Sequence, residues 1–251
     1  MHRVIPCLLV HEDGLVKTTR FRSPSYIGDP LNAIRIFNEK EVDELIVLDI
    51  DASRLNKDPD YRRIEGLASE CFMPLCYGGG IRSVSQAKTL FSLGVEKLSI
   101  QTSALSDLSV VRSIADHFGS QSVIVSVDVK RSLFGGLKLY NSTRKRALQE
   151  PWKTFLLRAI DAGAGEILLK AVDRDGTLSG MDLSLIQQAA AICRVPLIAM
   201  GGASSLRDLR AAVDAGANSI AAGAMFVYHG PRRAVLITYP AYDTLKEALD
   251  T

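Results

Sequence analysis

The chain has 251 residues, of which 47% are hydrophobic and 23% charged, a composition typical of a globular protein and unlike that of a disordered one. Lys and Arg together number 30 against 28 Asp and Glu, a formal charge of +2, so the protein lacks the large basic field that nucleic-acid or membrane-surface binding requires. The length alone fits either one large domain or two small ones.

Short apolar, β-branched runs alternate along the chain with stretches of helical spacing, several of which end in Gly, a common helix stop. The predicted strands are Val4–Val10, Leu45–Ile50, Leu75–Tyr77, Lys97–Ile100, Ser122–Val127, Ile167–Leu169, Leu197–Met200 and Ser219–Ala222. The predicted helices include Val84–Leu93, Val110–Phe118, Trp152–Ala162, Leu183–Cys193 and Leu206–Ala215. This alternation predicts an α/β fold with a parallel sheet covered by helices.

Eight strands in about 250 residues is the size of a (β/α)8 TIM barrel. A doubly wound open sheet is the structural alternative. That fold usually carries a GxGxxG loop after its first strand, and residues 8–17 contain none. The barrel is therefore the predicted architecture.

The two halves of the chain resemble each other at one fixed offset of 122 residues. Residues 44–51 align with 166–173, and residues 74–80 align with 196–202. Ser83 and Ser205, further along, keep the same offset. Two matches in one register indicate duplication of a half-barrel of four βα units. We therefore expect one barrel domain over residues 1–251, with half-barrels at about 1–121 and 122–240.

Glycines follow the third and seventh predicted strands at equivalent positions of the repeat. Gly lets the backbone approach a phosphate, and the next helix offers free N–H groups. Small residues after the fourth and eighth strands complete each cradle. The pattern predicts two phosphate sites across the C-terminal mouth, where barrel active sites lie, although a single Gly pair would equally make a tight turn. These residues are Gly79, Gly80 and Thr102 at the first site, and Gly201, Gly202 and Gly223 at the second.

The sequence contains no transmembrane segment, signal peptide or metal-binding spacing, and these absences bear on its expected compartment and cofactors. No apolar run approaches 18 residues, and the first strand is followed by no signal-peptide cleavage pattern. The four Cys and four His are scattered without a zinc or redox spacing. We therefore expect a cytoplasmic protein with no metal, no cofactor, no nucleic acid and no membrane among its partners.

Taken together, these residues resemble the HisF family, the cyclase subunit of imidazole glycerol phosphate synthase. The resemblance runs from Arg3 to about Phe226 and is carried by RVIPCL at 3–8, DEL at 43–45, GGGI at 78–81, EKLSI at 96–100, FGSQ at 118–121, GAGEILL at 163–169, DRDGTLSG at 173–180 and GGA at 201–203. It implies a barrel that binds a HisH glutaminase on its N-terminal face and places Asp175 and Gly176 among the phosphate-binding residues.

The resemblance also implies a reaction. Ammonia released by the glutaminase crosses the barrel and reacts at the C-terminal face with a two-phosphate ribulosyl-formimino-carboxamide ribonucleotide. The products are imidazole glycerol phosphate and aminoimidazole carboxamide ribotide. A ligand with a phosphate at each end agrees with the two predicted cradles.

Four charged residues at the bottom of the family's barrel gate ammonia, and all four keep their charge type here. Without the resemblance they would be ordinary charges at strand starts, since strand ends usually meet solvent. A buried ring of two acids and two bases can neutralise itself. The matching residues are Arg3, Glu44, Lys97 and Glu166.

The family performs acid–base chemistry with two aspartates, at the ends of its first and fifth strands. Two carboxylates facing one substrate can hold different protonation states. Asp128 matches the second of them, and Lys17 matches a lysine on the family's mobile catalytic loop. Leu9 stands where the first aspartate is expected, and a leucine cannot exchange a proton. Without the resemblance, Asp128 would equally fit a capping role.

Other departures lie on the same face. Met200 and Gly223 replace hydroxyl-bearing residues, and Lys170 replaces a small polar residue and could contact a phosphate. The family's charged floor is kept while its mouth is altered, and this combination resembles the HisF paralogues of bacterial surface-polysaccharide gene clusters. There the resemblance implies a HisH/HisF pair that supplies ammonia to a separate synthetase, which converts an acetamido sugar to an acetamidino sugar.

Two functions therefore stay open: the histidine-pathway cyclase and an ammonia-supplying paralogue. A HisA-like isomerase shares the half-barrel duplication, but the gate residues and the 173–180 stretch argue against it. A scaffold without a small-molecule site is disfavoured by the paired cradles. The basic runs at 144–146 and 232–233 have no interleaved aromatic residues, as expected of solvated loop charges rather than a nucleic-acid surface.

Overall fold

The barrel predicted from the sequence is present, and its sheet is closed. The computed structural model describes residues 2–132 and 135–249. Its strands are β1 Arg3–His11, β2 Gly14–Thr19, β3 Arg22–Gly28, β4 Leu45–Asp49, β5 Leu75–Gly78, β6 Lys97–Ile100, β7 Val123–Arg131, β8 Leu137–Asn141, β9 Arg146–Ala147, β10 Glu166–Ala171, β11 Leu197–Met200, β12 Ser219–Ala222, β13 Tyr228–His229 and β14 Ala234–Val235. Eight of them pair in parallel in the order β1, β4, β5, β6, β7, β10, β11 and β12, and β12 pairs with β1. This ring is the (β/α)8 TIM barrel.

Helices fill the connections between barrel strands, and their apolar faces pack on the outside of the sheet. They are α1 Pro30–Glu39, α2 Tyr61–Glu70, α3 Val84–Ser92, α4 Thr102–Ser106, α5 Ser109–Phe118, α6 Trp152–Asp161, α7 Leu183–Ala190, α8 Leu206–Asp214, α9 Ala224–Val227 and α10 Tyr242–Leu249. The predicted end of α7 at Cys193 was too late, since the helix stops at Ala190. No helix in the described ranges is both long and apolar enough to cross a membrane.

Equivalent positions of the sequence repeat share local geometry. Ser83 caps α3 by accepting a hydrogen bond from the Gln86 backbone, and Ser205 caps α8 by accepting one from the Asp208 backbone. Both caps have extended backbone conformations. The half-barrel duplication and its boundaries stay a prediction, because any barrel built of repeated βα units would show similar caps.

Two segments that the sequence predicted as loops are β-hairpins. Lys17 lies in β2, which pairs antiparallel with β1 and with β3. Asp128 lies inside β7, which continues to Arg131 and pairs antiparallel with β8. These hairpins could not be predicted because β3 and β9 are mostly exposed and have no alternation of apolar and polar residues. Residues 133 and 134 fall outside the described ranges.

The inside of the barrel is apolar in its middle. Side chains alternate between the two faces of each strand, so every second residue points inward. The apolar inward residues of this middle layer are all fully buried. They are Ile5, Cys7, Ile46, Cys76, Ile124, Leu168, Ile198 and Ala221. The buried hydroxyls of Ser99 and Ser126 lie beside them, since these serines are the register partners of Ile124 and Leu168. Charged side chains lie below this layer, at the N-terminal ends of the strands, and the open mouth lies above it.

Candidate functional site

The four charged residues predicted at the bottom of the barrel form one closed ring of ion pairs. Arg3 Nη1 lies 2.5 Å from Glu44 Oε2, and Arg3 Nη2 lies 2.6 Å from Glu166 Oε2. Lys97 Nζ lies 2.9 Å from Glu44 Oε2 and 2.7 Å from Glu166 Oε1. The structure therefore brings together all four residues, which start β1, β6 and β10 or immediately precede β4.

Charge balance holds this ring together although it is largely buried. Burial by itself raises the pKa of Glu166, but hydrogen bonds from Arg3 and Lys97 outweigh burial and lower that pKa. Burial likewise lowers the pKa of Lys97, and hydrogen bonds to both acids outweigh burial and raise it. Glu44 is 2% exposed, and its Oε1 atom has no hydrogen-bond partner. The ring is thus a charged floor under an apolar interior.

The mouth of the barrel is a cavity of about 400 Å³ at the C-terminal ends of the strands. Its walls divide into two halves. The polar half is formed on and beside β6, β7 and β10, and the apolar half on β11, β1 and β4. We call Gln101, Asp128 and Lys170 the polar half of the inner wall, and Leu9, Leu48 and Met200 its apolar half. Further along the same strands and their loops, His11, Asp49, Asp51 and Arg54 also line the mouth.

Asp128 is the buried acid of the polar half. It is 1% exposed, and neither carboxylate oxygen has a hydrogen-bond partner. Lys170 Nζ lies 3.7 Å from Asp128 Oδ1, an ion-pair distance that is too long for a direct hydrogen bond. Burial raises the pKa of Asp128, and the charge of Lys170 opposes that rise without cancelling it. Hydrogen-bonding groups of Gln101, Ser142 and Lys170 lie near the carboxylate and lower its pKa in part, so burial remains the dominant effect.

The raised pKa gives Asp128 a pH signature. An acid whose folded-state pKa is raised destabilises the fold above that pKa, and the loss disappears as the pH falls below its unfolded value near 3.8. We therefore expect Asp128→Asn to gain stability relative to the wild type as the pH rises from below 3.8 to neutral, by about 1 kcal/mol or more. Urea unfolding across the acid range should show the two curves converging at low pH. A gap that is constant with pH would contradict this prediction.

The first predicted phosphate cradle is open. Gly79 and Thr102 line the mouth, while Gly80 and Thr102 line an adjoining cavity of about 530 Å³. Gly80 has φ +72°, and a Cβ there would lie 2.8 Å from the Lys57 carbonyl, so this turn requires glycine. Its backbone N–H donates to Ser53 Oγ at 3.2 Å. The predicted residues of this cradle are therefore contiguous with the mouth, and their role in phosphate binding stays a prediction.

The second predicted cradle is filled by the protein's own hairpin. Its cavity measures about 20 Å³, room for about one water molecule. The six predicted residues that line it are Lys17, Asp175, Gly176, Gly201, Gly202 and Gly223. The β2–β3 hairpin lies over them, because Thr18 Oγ1 donates to Asp175 Oδ2 at 2.8 Å and the Arg20 N–H donates to the Asp175 carbonyl at 2.9 Å. A phosphate enters here only if the hairpin moves.

Lys17 belongs to this closed cradle and not to the mouth. Its ammonium group donates to the Cys7 carbonyl, and its side chain is 5% exposed. Burial lowers the pKa of Lys17. The structure therefore does not bring Lys17 together with Asp128, since the two residues line different cavities.

Gly176 is where the hairpin meets the loop after β10. It has φ +66°, and a Cβ there would collide with the Thr18 carbonyl. Gly230 has a similar φ of +69°, but a Cβ there would have no atom within 4 Å. An alanine at this position therefore adds backbone strain without a steric clash. We expect Gly230→Ala to lower the free energy of unfolding by about 1 kcal/mol and Gly176→Ala to lower it further. Urea unfolding measures the stability of the two variants. Equal losses would show that the hairpin does not pack tightly against Gly176.

Sequence reasoning missed Gln101 and Ser142. Ser142 Oγ donates to Gln101 Oε1 at 2.5 Å, and Gln101 Nε2 is buried without an acceptor. The only signal for Gln101 was its position directly before Thr102, at the end of a predicted strand. Ser142 had none, because it follows β8, a strand that was not predicted. Among the described residues, no group of three or more His, Cys, Asp or Glu is placed to hold a metal.

Comparisons with known proteins identify the family of this barrel. The profile of the family described as "Histidine biosynthesis protein" matches residues 3–231. A Pseudomonas aeruginosa protein, provisionally named imidazole glycerol phosphate synthase subunit hisF2, is 52% identical over 248 residues, covering 97% of each chain. A Leptospira interrogans protein, provisionally named as the HisF subunit, is 49% identical over 98% of each chain.

A relative with an unqualified name is more distant. The imidazole glycerol phosphate synthase subunit HisF of Thermobifida fusca is 38% identical over 229 residues, covering 89% of this chain and 90% of that protein. The closed parallel sheet with helices around it defines the class as a TIM barrel. The chain belongs to the histidine biosynthesis protein family and is a HisF-type member of it.

Proposed function

We propose that this chain is the synthase subunit of a glutamine amidotransferase complex. A HisH-type glutaminase docks on the N-terminal face, and its ammonia enters the barrel through the ring of Arg3, Glu44, Lys97 and Glu166. The closed ring carries this proposal: four ion pairs of 2.5–2.9 Å stand directly beneath the barrel interior. The names of the relatives, as subunits of imidazole glycerol phosphate synthase, support the same role.

The apolar middle layer supports ammonia as the species that crosses. Eight fully buried side chains separate the ring from the mouth. Burying an ion in such surroundings is very costly, whereas a small neutral molecule loses only its hydrogen bonds to water. Ammonium ions therefore stay at the floor, and neutral ammonia continues to the mouth.

We propose further that the mouth delivers ammonia to another enzyme's substrate and does not itself run the family's two-aspartate cyclisation. Leu9 is 8% exposed and faces the mouth beside Leu48 and Met200. One acid of the expected pair is therefore replaced by an apolar wall. The acceptor in this proposal is an acetamido sugar held by a separate synthetase, as in the polysaccharide-cluster paralogues that the chain resembles.

One observation favours the histidine-pathway cyclase as the second candidate. Asp128 is retained with both carboxylate oxygens unpartnered, and the mouth adjoins the open first cradle through Thr102. In that case the chain itself would convert the two-phosphate ribonucleotide and ammonia to imidazole glycerol phosphate and aminoimidazole carboxamide ribotide.

Complementation separates the two candidates. The chain and its cognate glutaminase are expressed in a bacterial strain that lacks HisF, with the strain's own HisF as the positive control. We expect no growth without histidine, while the purified chain still accelerates glutamine hydrolysis by the glutaminase. Growth without histidine would assign the chain to the cyclase. Failure to affect any HisH-type glutaminase would contradict the amidotransferase role.

A further inference from the structure

A histidine and a carboxylate are paired at the mouth, on the side formed by β1 and β4. His11 ends β1, Asp51 follows β4, and both residues line the mouth. His11 Nδ1 lies 2.8 Å from Asp51 Oδ2. Alternate residues of a strand point the same way, so His11 lies on the same face of β1 as Leu9, two residues further out. A titratable ring therefore stands beside the position at which the expected acid is missing.

Asp51 is held as an anion by its other contacts. Its Oδ1 atom accepts from Arg54 Nη2 at 2.7 Å, and its Oδ2 atom also accepts from the Glu12 backbone N–H at 2.9 Å. Burial raises the pKa of Asp51, but these hydrogen bonds and that of His11 outweigh burial and lower the pKa. An ionised carboxylate only accepts hydrogen bonds, so the Nδ1 atom of His11 carries the hydrogen. The Nε2 atom of the neutral ring therefore keeps a lone pair.

The other charged groups around His11 do not bond to its ring. Asp49 Oδ1 accepts from the two backbone N–H groups of residues 51 and 52. Arg63 of α2 donates to Asp13 Oδ1 and to the carbonyl of residue 12, and Arg22 of β3 lines the mouth from an exposed position. Among the described residues, only the carboxylate of residue 51 bonds to the ring. That carboxylate therefore orients the ring, and the Nε2 atom is left to the mouth.

We infer that His11, oriented by Asp51, takes up the proton that is released when ammonia reacts at the mouth. This inference rests on the proposed function, in that ammonia must react there. When the lone pair of ammonia forms a C–N bond, the nitrogen becomes positively charged and must lose a proton, the task of a general base. The Nε2 lone pair of His11 accepts that proton. Asp51 stabilises the imidazolium that results, as the carboxylate of a His–Asp pair does in hydrolases.

The proposed amidination can be written with this proton accounted for. Its acceptor is an imidate, formed when the synthetase has esterified the oxygen of the acetamido group with a phosphoryl or adenylyl group. Ammonia adds to the imidate carbon, His11 removes one proton from the nitrogen, and the C–O bond breaks with its electron pair leaving on the oxygen. The proton then passes from His11 to water, and the amidine remains. A ribonucleotide acceptor requires the same first proton transfer, so the role of His11 does not depend on the acceptor.

Steady-state kinetics of the chain with its cognate glutaminase and synthetase test this role. Amidine formation and cyclisation of the two-phosphate ribonucleotide are both measured across pH, with an ammonium salt as the nitrogen source and the concentration of neutral ammonia held constant. His11→Asn keeps a donor for Asp51 but cannot accept a proton. It should lower the kcat of whichever reaction the wild type supports by about 10²-fold or more. It should also remove the acid limb, the fall in rate towards low pH in the range where histidines titrate, about pH 5–8.

Further variants separate this role from a structural one. His229→Asn removes an exposed histidine of β13 that lies outside the mouth, and it should leave the rate and the pH profile unchanged. Asp51→Asn should slow the reaction and shift the acid limb, because the ring loses its fixed orientation, and Asp51→Glu should recover part of the rate. Glutamine hydrolysis by the docked glutaminase should be the same in all variants, which would show that the barrel is intact.

The failure of this inference is distinct from the failure of the proposed function. If the wild type forms either product and His11→Asn keeps both the rate and the acid limb, the role of His11 is wrong. If the wild type forms only the cyclised product and His11→Asn loses that activity, the role of His11 stands and the proposed delivery to a synthetase fails. If the wild type forms neither product, both fail.

Discussion

Replacing Glu166 with Gln is expected to lower the free energy of unfolding at neutral pH by about 3 kcal/mol. Glu166 accepts from Arg3 at 2.6 Å and from Lys97 at 2.7 Å. Without its charge, two cations share Glu44 alone, and breaking a buried pair leaves an uncompensated charge that typically costs 3–5 kcal/mol. The lower end applies because Arg3 is 30% exposed. Urea unfolding at neutral pH measures the loss.

The same residue predicts an acid dependence. Because the pKa of Glu166 is lowered in the folded state, its contribution is present above the unfolded value near 4.5 and is lost as the pH falls through the folded value. The difference between the wild type and Glu166→Gln should therefore shrink below pH 4.5. Asp161→Asn is the control, since Asp161 and Arg194 are both 64% exposed and such pairs contribute little. Equal losses in the two variants would contradict a buried, closed ring.

Restoring the missing acid is expected to have the largest effect on activity. The double variant Leu9→Asp/Lys170→Thr should raise ammonia-dependent cyclisation of the two-phosphate ribonucleotide by about 10²-fold or more, the usual contribution of a positioned acid or base. Leu9 faces the mouth from β1, and Asp128 faces it from β7. Removing Lys170 frees Asp128 from its ion pair. The assay uses an ammonium salt in place of the glutaminase, so that channelling does not enter the result.

A variant without a titrating group controls for shape. Leu9→Asn/Lys170→Thr has nearly the same side-chain volumes, yet it cannot exchange a proton at position 9, so no comparable gain is expected. If the asparagine variant gains as much as the aspartate variant, the effect does not come from acid–base chemistry. A wild-type chain that already cyclises at the rate of the aspartate variant would favour the histidine-pathway candidate.

The strands of the barrel were predictable because they are buried on both faces. Segments such as Leu45–Asp49 and Leu197–Met200 are almost continuously apolar, and this pattern does not depend on distant parts of the chain. The charged floor was located through its resemblance to a family, since charges at strand starts carry no signal of their own. The β2–β3 hairpin was missed because its outer strand is exposed and its pairing is set by the barrel that it covers.

The pairing of Asp128 with Lys170 in the polar half of the mouth could not be predicted from the sequence, for a different reason. Asp128 was predicted, but its relation to Lys170 depends on the register of β7 and β10. These residues are 42 positions apart in the chain, so no local pattern connects them. The closure of the second cradle by Lys17 likewise depends on where the hairpin folds back, which the spacing of its residues does not reveal.

The division of the mouth into a polar and an apolar half has a consequence for how a molecule enters it. At the repeat offset of 122 residues, Lys170 corresponds to Leu48, and Asp128 and Leu9 occupy the fifth and first barrel strands. Each polar residue thus faces an apolar counterpart across the barrel axis. A molecule with two similar ends would therefore meet different surroundings at each end. The mouth is in this way chemically asymmetric, although the two halves of the sequence match at a fixed offset.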